Sequence, residues 1–145
     1  MVGFIVTGHG EFAPGLASAV RMVAGDQPLF RVVPFREAEA GAYADVLGQA
    51  LAELAAESDG VIAFVDLLGG TPFNQTMMAA AEIPGIEVVT GANLPMLVEC
   101  LVARTADTAA DSLVKTALAV GGAGITHKNL ADLMAPPPED GEGGR

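Results

Sequence analysis

Two short apolar runs each break into a glycine-rich turn, and this repetition constrains the fold more than any other feature of the chain. Residues 2–7 lead into Gly8-His9-Gly10, and residues 60–65 lead into Asp66-Leu67-Leu68-Gly69-Gly70-Thr71-Pro72. Uniformly apolar runs of this length, bounded by turn residues, read as strands buried on both faces. Between and after them the apolar period changes to that of helices. Phe12, Leu16, Ala19, Val20 and Val23 recur at helical spacing, with Pro14 near the first turn and Gly25 at the end. Residues 29–33 form a second apolar run that Pro34 should stop. Tyr43, Val46, Leu47, Ala50, Leu51 and Leu54 then give the clearest amphipathic helix.

Beyond the second glycine turn, Thr71 is placed to cap a helix and Pro72 to occupy its first position. Phe73, Met77, Met78 and Ala81 fit its packed face, and Pro84-Gly85 breaks it. Residues 86–90 make a fourth strand, and Gly91-Ala92-Asn93 a turn. Leu94, Leu97, Val98, Leu101 and Val102 form another stripe with Pro95 in its first turn, and a last helix spans about 109–120. Strand followed by helix, four times over and with short connections, predicts an α/β fold: a doubly wound, mainly parallel open sheet of four strands. Residues 125–129 read as one more short edge strand. The expected division is a domain over 1–130 and a disordered tail over 131–145, where Pro136-Pro137-Pro138 precede an acidic, glycine-rich end.

Composition narrows the function. Eighteen acidic residues against seven basic ones give a net charge of −11, and no basic cluster exists to neutralise nucleic-acid phosphates or to hold anionic lipid. A basic-faced protein partner would suit such a surface. No apolar run approaches the roughly twenty residues needed to cross a bilayer, and no signal segment is visible, so a cytoplasmic protein is expected. Cys100 is the single cysteine and falls in an apolar helical phase, which suits a buried small hydrophobe. One cysteine and two histidines 118 positions apart offer no metal-ligand spacing.

In open α/β sheets, reactive groups gather outside the carboxyl ends of the strands, where strand order reverses. Strand one delivers His9 to that edge, strand two Phe35 and Arg36, strand three Asp66 and strand four Asn93. A histidine that attacks a phosphoryl group needs one nitrogen unprotonated and the proton held on the other. A carboxylate bonded to that second nitrogen fixes the tautomer and balances the charge that develops. His9, Asp66 and Thr71 are therefore the candidate catalytic residues. Gly8, Gly10, Gly69 and Gly70, with the Thr71 hydroxyl, are the candidates for close approach to the phosphoryl oxygens, beside a helix N-terminus that welcomes an anion. Each feature has a plainer reading: a turn histidine, a turn-capping aspartate and a flexible glycine pair. His127 has no convergent partner and reads as an ordinary surface or edge residue. No Walker or dinucleotide fingerprint is present.

These residues carry a family resemblance. Gly8-His9-Gly10 with Ala13-Pro14-Gly15-Leu16, the string from Asp66 to Asn74, and Gly91-Ala92-Asn93-Leu94-Pro95-Met96-Leu97-Val98-Glu99 closely resemble the IIA component of the mannose-family sugar phosphotransferase system, over about residues 2–130. The resemblance implies a phosphohistidine relay without a cofactor. The carrier protein HPr donates a phosphoryl group to His9, and His9 passes it to a histidine of a separate IIB component, which serves sugar uptake through the membrane subunits IIC and IID. It further implies that Asp66 holds the His9 ring, that Thr71 lies beside the phosphoryl group, and that the chain forms a homodimer in which the C-terminal segment is a swapped edge strand. Two other readings share the fold: the phosphoryl-donor subunit of a dihydroxyacetone kinase, and a regulatory module whose phosphorylation state selects its partners. A flavodoxin-like cofactor binder is a third.

Overall fold

The computed structural model describes residues 1–134 and Pro136. Four strands, β1 (Gly3–His9), β2 (Phe30–Phe35), β3 (Val61–Val65) and β4 (Ile86–Thr90), pair in parallel in the order β2-β1-β3-β4. The helices are α1 (Phe12–Ala24), α2 (Ala40–Glu57), α3 (Gly70–Glu82), α4 (Leu94–Ala103), α5 (Ala110–Ala123) and the short α6 (Leu130–Met134), with one 3₁₀ turn at Glu37–Glu39. The doubly wound α/β sheet predicted from the strand–helix alternation is the architecture found.

Each face of the sheet has its own core. Phe4, Val6, Ile62, Phe64 and Val89 pack against Ala13 and Val20 of α1, Leu97 and Cys100 of α4, and Leu113 of α5. On the opposite face Ile5, Val33, Val61 and Ala63 pack against Tyr43, Leu47, Leu51 and Leu54 of α2. Successive side chains of a strand point to opposite faces, so β3 is apolar at every position and β1 from Phe4 to Val6. All five residues of β3 are buried, as expected of a central strand.

Several local expectations were off by a few residues, each for a physical reason. Pro34 lies inside β2 rather than ending it, because β2 is an edge strand and the missing N–H can face away from the ladder. The buried stripe of α1 is Ala13, Ala17 and Val20, while Val23 is 61% exposed at the helix end. Small alanines let α1 sit close to the sheet, and the larger residues flank the contact. In α3 the buried residues are Pro72 and Thr76, whereas Met77 and Met78 face solvent instead of the core. Cys100 is buried as expected, its thiol bonded to the Leu113 carbonyl and its pKa pushed up to about 11 by burial. Residues 125–129 pair with no strand of the described chain, and His127 is exposed. Residues 131–134, expected in a disordered tail, belong to α6; the remainder of that tail, apart from Pro136, lies outside the described residues.

Arg104 closes the far end of the sheet from inside. It is only 7% exposed, and its guanidinium donates to the carbonyls of Val2 (2.9 Å), Pro28 (2.8 Å) and, more weakly, Leu29 (3.4 Å). It also lies 4.7 Å from the centre of the Phe4 ring. Burial lowers its pKa, but arginine starts so high that it keeps its charge. Arg104→Ala would take a donor from the Val2 and Pro28 carbonyls and leave a void. We expect a loss of about 3 kcal/mol in urea unfolding, with Arg104→Lys recovering only part, since an ammonium cannot span the same fork of acceptors.

Candidate functional site

Strand order reverses between β1 and β3: one connection leaves β1 for β2, and the next crosses back to β3 on the other side. The ladder pairs Thr7 with Val65, so the two residues just beyond, His9 and Asp66, emerge side by side. Asp66 Oδ2 accepts from His9 Nδ1 at 2.7 Å and from the His9 main-chain N–H at 2.9 Å. Asp66 Oδ1 accepts from the Leu67 N–H at 2.9 Å. The carboxylate side chain is 10% exposed and the imidazole 47%. The anchor is thus buried and the ring is open.

Asp66 experiences opposing influences. Burial raises its pKa, but the His9 N–H, the His9 ring and the Leu67 N–H outweigh burial, and the carboxyl is held below its ordinary value. An ionised acceptor on Nδ1 keeps the proton there and leaves the lone pair on Nε2.

The second glycine turn brings a helix end to that nitrogen. Gly69 and Gly70 both have positive φ, +89° and +81°, and swing the chain from Asp66 into α3 within four residues. A Cβ on Gly70 would stand 3.2 Å from His9 Cε1 and 3.3 Å from Nε2, so the bare backbone at the start of α3 flanks the Nε2 edge of the ring. Among the described residues no side chain caps α3, whose first amides lack intrahelical acceptors. Gly69 rather than Thr71 takes the N-cap place. Thr71 is the second residue of the helix and is exposed, and Pro72 is the third.

The glycines around His9 serve different ends. Gly8 makes room: a Cβ there would lie 2.9 Å from the Asp66 side chain and 2.7 Å from the Phe12 ring. Gly10 has φ +56°, and its N–H is given to the Phe35 carbonyl at 2.7 Å. That bond fastens the turn to β2 and leaves the Gly10 amide committed. Arg36 adds an exposed fork onto Glu11, Nε to Oε2 at 2.5 Å and Nη2 to Oε1 at 2.9 Å, which raises its own pKa and lowers that of Glu11. Asn93 serves structure: its side chain accepts from the Met96 N–H and donates to the Gly121 carbonyl, capping α4 and tying it to α5.

Two residues near the ring received no role from the sequence. Phe35, the ladder partner of His9, packs against its imidazole with ring centres 5.8 Å apart. Tyr43 backs Phe35 at 4.8 Å and gives its hydroxyl to Thr7 Oγ1 at 2.5 Å, while Thr7 donates to the Val33 carbonyl at 2.7 Å. Burial, opposed by the Thr7 bond and aided by the nearby Asp66 charge, pushes the Tyr43 phenol up to about 12. The signal for Phe35 was its position: had β2 been carried through Pro34, Phe35 would have fallen opposite His9. Among the described residues no cluster of three metal-ligating side chains occurs.

The fold and the site define an open α/β domain with a histidine–carboxylate pair at its switch point. Comparison with known proteins places it in a family. A family model described as PTS system fructose IIA component matches residues 3–118, and the chain belongs to this EIIA-man family of the sugar phosphotransferase system. It is 33% identical over 105 residues to the PTS system fructose-specific EIIA component of Bacillus subtilis, covering 72% of this chain and 71% of that protein. It is also 33% identical over 125 residues to the PTS system mannose-specific EIIAB component of Escherichia coli, covering 86% of this chain but spanning only 38% of that longer protein. The crystal structure of phosphotransferase system component EIIA from Streptococcus agalactiae superposes with a TM-score of 0.76 at 30% identity, covering 88% of this chain and 97% of that one.

The depressed Asp66 pKa has a consequence for acid stability. The folded carboxyl binds a proton less readily than the unfolded one, so its bonds stabilise the fold fully above the ordinary value of 3.8 and are lost as pH falls through the folded value below it. In urea unfolding, Asp66→Asn should be less stable than wild type at about pH 5, and the gap should close toward about pH 2. A gap that persists unchanged into acid would show that the Asp66 charge contributes nothing to folding.

Proposed function

We propose that the chain is the cytoplasmic, phosphoryl-carrying IIA component of a mannose-family system, taking its phosphoryl group from phospho-HPr on His9 Nε2 and passing it to a histidine of a separate IIB component that serves sugar uptake. One observation carries this reading: Asp66 claims Nδ1, while Nε2 stands beside uncapped helix amides. The Nε2 lone pair attacks phosphorus, the P–N bond of the donor breaks, and its electron pair returns to the donor nitrogen. The proton stays on Nδ1, so the phosphorylated ring is cationic and faces an ionised carboxylate. In this reading the N–H groups of the first turn of α3 and the Thr71 hydroxyl receive the phosphoryl oxygens. Leu67 and Leu68, 49% and 74% exposed, rim the site with apolar surface that a docked carrier would shield from water.

Incubation with phospho-HPr should give one acid-labile, base-stable phosphate per chain, absent in His9→Ala and retained in His127→Ala. Asp66→Asn keeps a hydrogen-bond acceptor but cannot balance the cationic ring. Loss of a histidine-orienting carboxylate costs about four orders of magnitude in serine proteases. The open crevice here should soften that to roughly 10- to 1000-fold in transfer rate, with HPr affinity nearly unchanged. Wild-type rates in rapid-quench experiments would reduce Asp66 to a turn residue.

We further propose a two-fold homodimer. In support, Ile125, Leu130, Leu133 and Met134 are each at least 71% exposed, an unusual load of apolar surface for one short segment, and among the described residues β4 is an unpaired sheet edge. Light scattering at micromolar concentration should give a dimer. Deleting residues 136–145 should leave it intact and truncating from Gly124 should weaken it; a monomeric full chain would refute the assembly.

A further inference from the structure

Asp66 holds the His9 side chain by one ring atom, and one hydrogen bond leaves an imidazole free to swing about the Nδ1···Oδ2 line. For Nε2 to keep its aim, the ring must be limited from a second direction. Gly70 cannot do this by bulk, since it presents only backbone. Phe35 is the side chain in position. Its Cα is the ladder partner of His9, its carbonyl holds the Gly10 N–H, and its ring meets the imidazole at an interplanar angle of 76°. A phenyl at that angle opposes rotation about the last side-chain torsion of His9, the broad torsion that a ring otherwise samples freely.

Phe35 is itself backed by groups that cannot move easily. Tyr43 is 4% exposed and packs against Phe35 at 4.8 Å, and its hydroxyl is fixed by Thr7, which is fully buried and bonded to the Val33 carbonyl. A line of contact therefore runs from the β1–β2 ladder through Thr7, Tyr43 and Phe35 to the exposed imidazole. Phe35 is partly buried against the α2-side core, and it also meets a ring that is itself half-exposed.

We infer that Phe35 is a positioning residue for phosphoryl transfer: with Tyr43 behind it, it holds the His9 ring so that Nε2 stays aimed at the incoming phosphorus. The inference rests on the phosphoryl-transfer reading of His9 given above. Phe35 takes no part in bond making. It narrows the range of ring orientations from which attack occurs, and small errors in such alignment are costly.

Phe35→Leu keeps the apolar bulk and removes the flat wall, while Phe35→Tyr keeps the wall. Two measurements separate positioning from chemistry. The first needs no phosphoryl donor: ¹⁵N-resolved NMR of the His9 ring in the unphosphorylated full chain. Wild type and Phe35→Tyr should show a single, well-ordered Nδ1–H form, and Phe35→Leu an exchange-broadened or mixed ring signal on an otherwise unchanged amide spectrum. The second is transfer from phospho-HPr, where Phe35→Leu should lose about 10-fold in kcat with KM within about 2-fold, and Phe35→Tyr should recover most of it. A Phe35→Leu ring as ordered as wild type overturns the inference, as does a loss confined to KM, which would make Phe35 a docking contact. If wild type accepts no phosphoryl group, the transfer reading fails, whereas the ring spectrum still decides whether Phe35 holds His9. Should Phe35→Leu not fold, Phe35→Met takes its place in the same ring measurement.

Discussion

The 2.7 Å bond between His9 and Asp66 depends on a choice made far from either side chain, the placement of β3 beside β1 instead of beside β2. Covering both faces of a parallel sheet puts α1 on one side and α2 with α3 on the other, and the reversal leaves one gap between neighbouring carboxyl ends. The parallel register carries Thr7 and Val65 to the same level, and the chain then has only a residue or two in which to make the contact. Gly8 makes it possible by having no Cβ to collide with the Asp66 side chain. The two partners divide the work by exposure. A sheltered carboxylate is a strong, fixed acceptor, and a half-open imidazole remains within reach of another protein.

The two faces of the sheet contribute unequally to that site. The layer of α1, α4 and α5 packs the larger core and places Arg104 at the amino ends of the strands, where its guanidinium gathers carbonyls from the approaches to β1 and β2. The α2 layer reaches the carboxyl ends, and its first turn supplies Tyr43. Stability and alignment are therefore drawn from opposite ends and opposite sides of one sheet. A substitution that weakens the Arg104 clamp need not disturb the histidine, and one that loosens Tyr43 need not unfold the domain.

Sequence made the sheet and the central pair legible because both rest on patterns that burial enforces. Apolar runs closed by glycine turns mark strand ends, and only His9 and Asp66 combine the right chemistry with the right strand ends. What could not be read was the detail that depends on which surface an element meets. Val23, Met77 and Met78 keep helical phase yet face water, because phase does not say how far the covering layer extends. Thr71 and Pro72 have the residue types of a cap and a first helical position, but two glycines at positive φ begin the helix earlier than side-chain preference suggests. Phe35 was placed at the carboxyl edge but not opposite His9, since a proline such as Pro34 ordinarily ends a strand and only sheet order reveals that β2 lies at an edge.

That same proline makes the two borders of the sheet unlike each other. The carbonyls of Leu29 and Phe35 accept from N–H groups of Phe4 and Gly10, so alternate residues of β2, counted from Leu29, turn their backbone polar groups inward, and Pro34 falls among those that face outward. A strand approaching from outside β2 meets a rail with one donor missing, beside Arg31 held in ion pairs by Glu53 and Glu57. Along β4, by contrast, every residue from Ile86 to Thr90 retains its amide. Growth of the sheet by edge addition is thereby steered to one side only, and the blunted side is the one that carries the wall of the histidine.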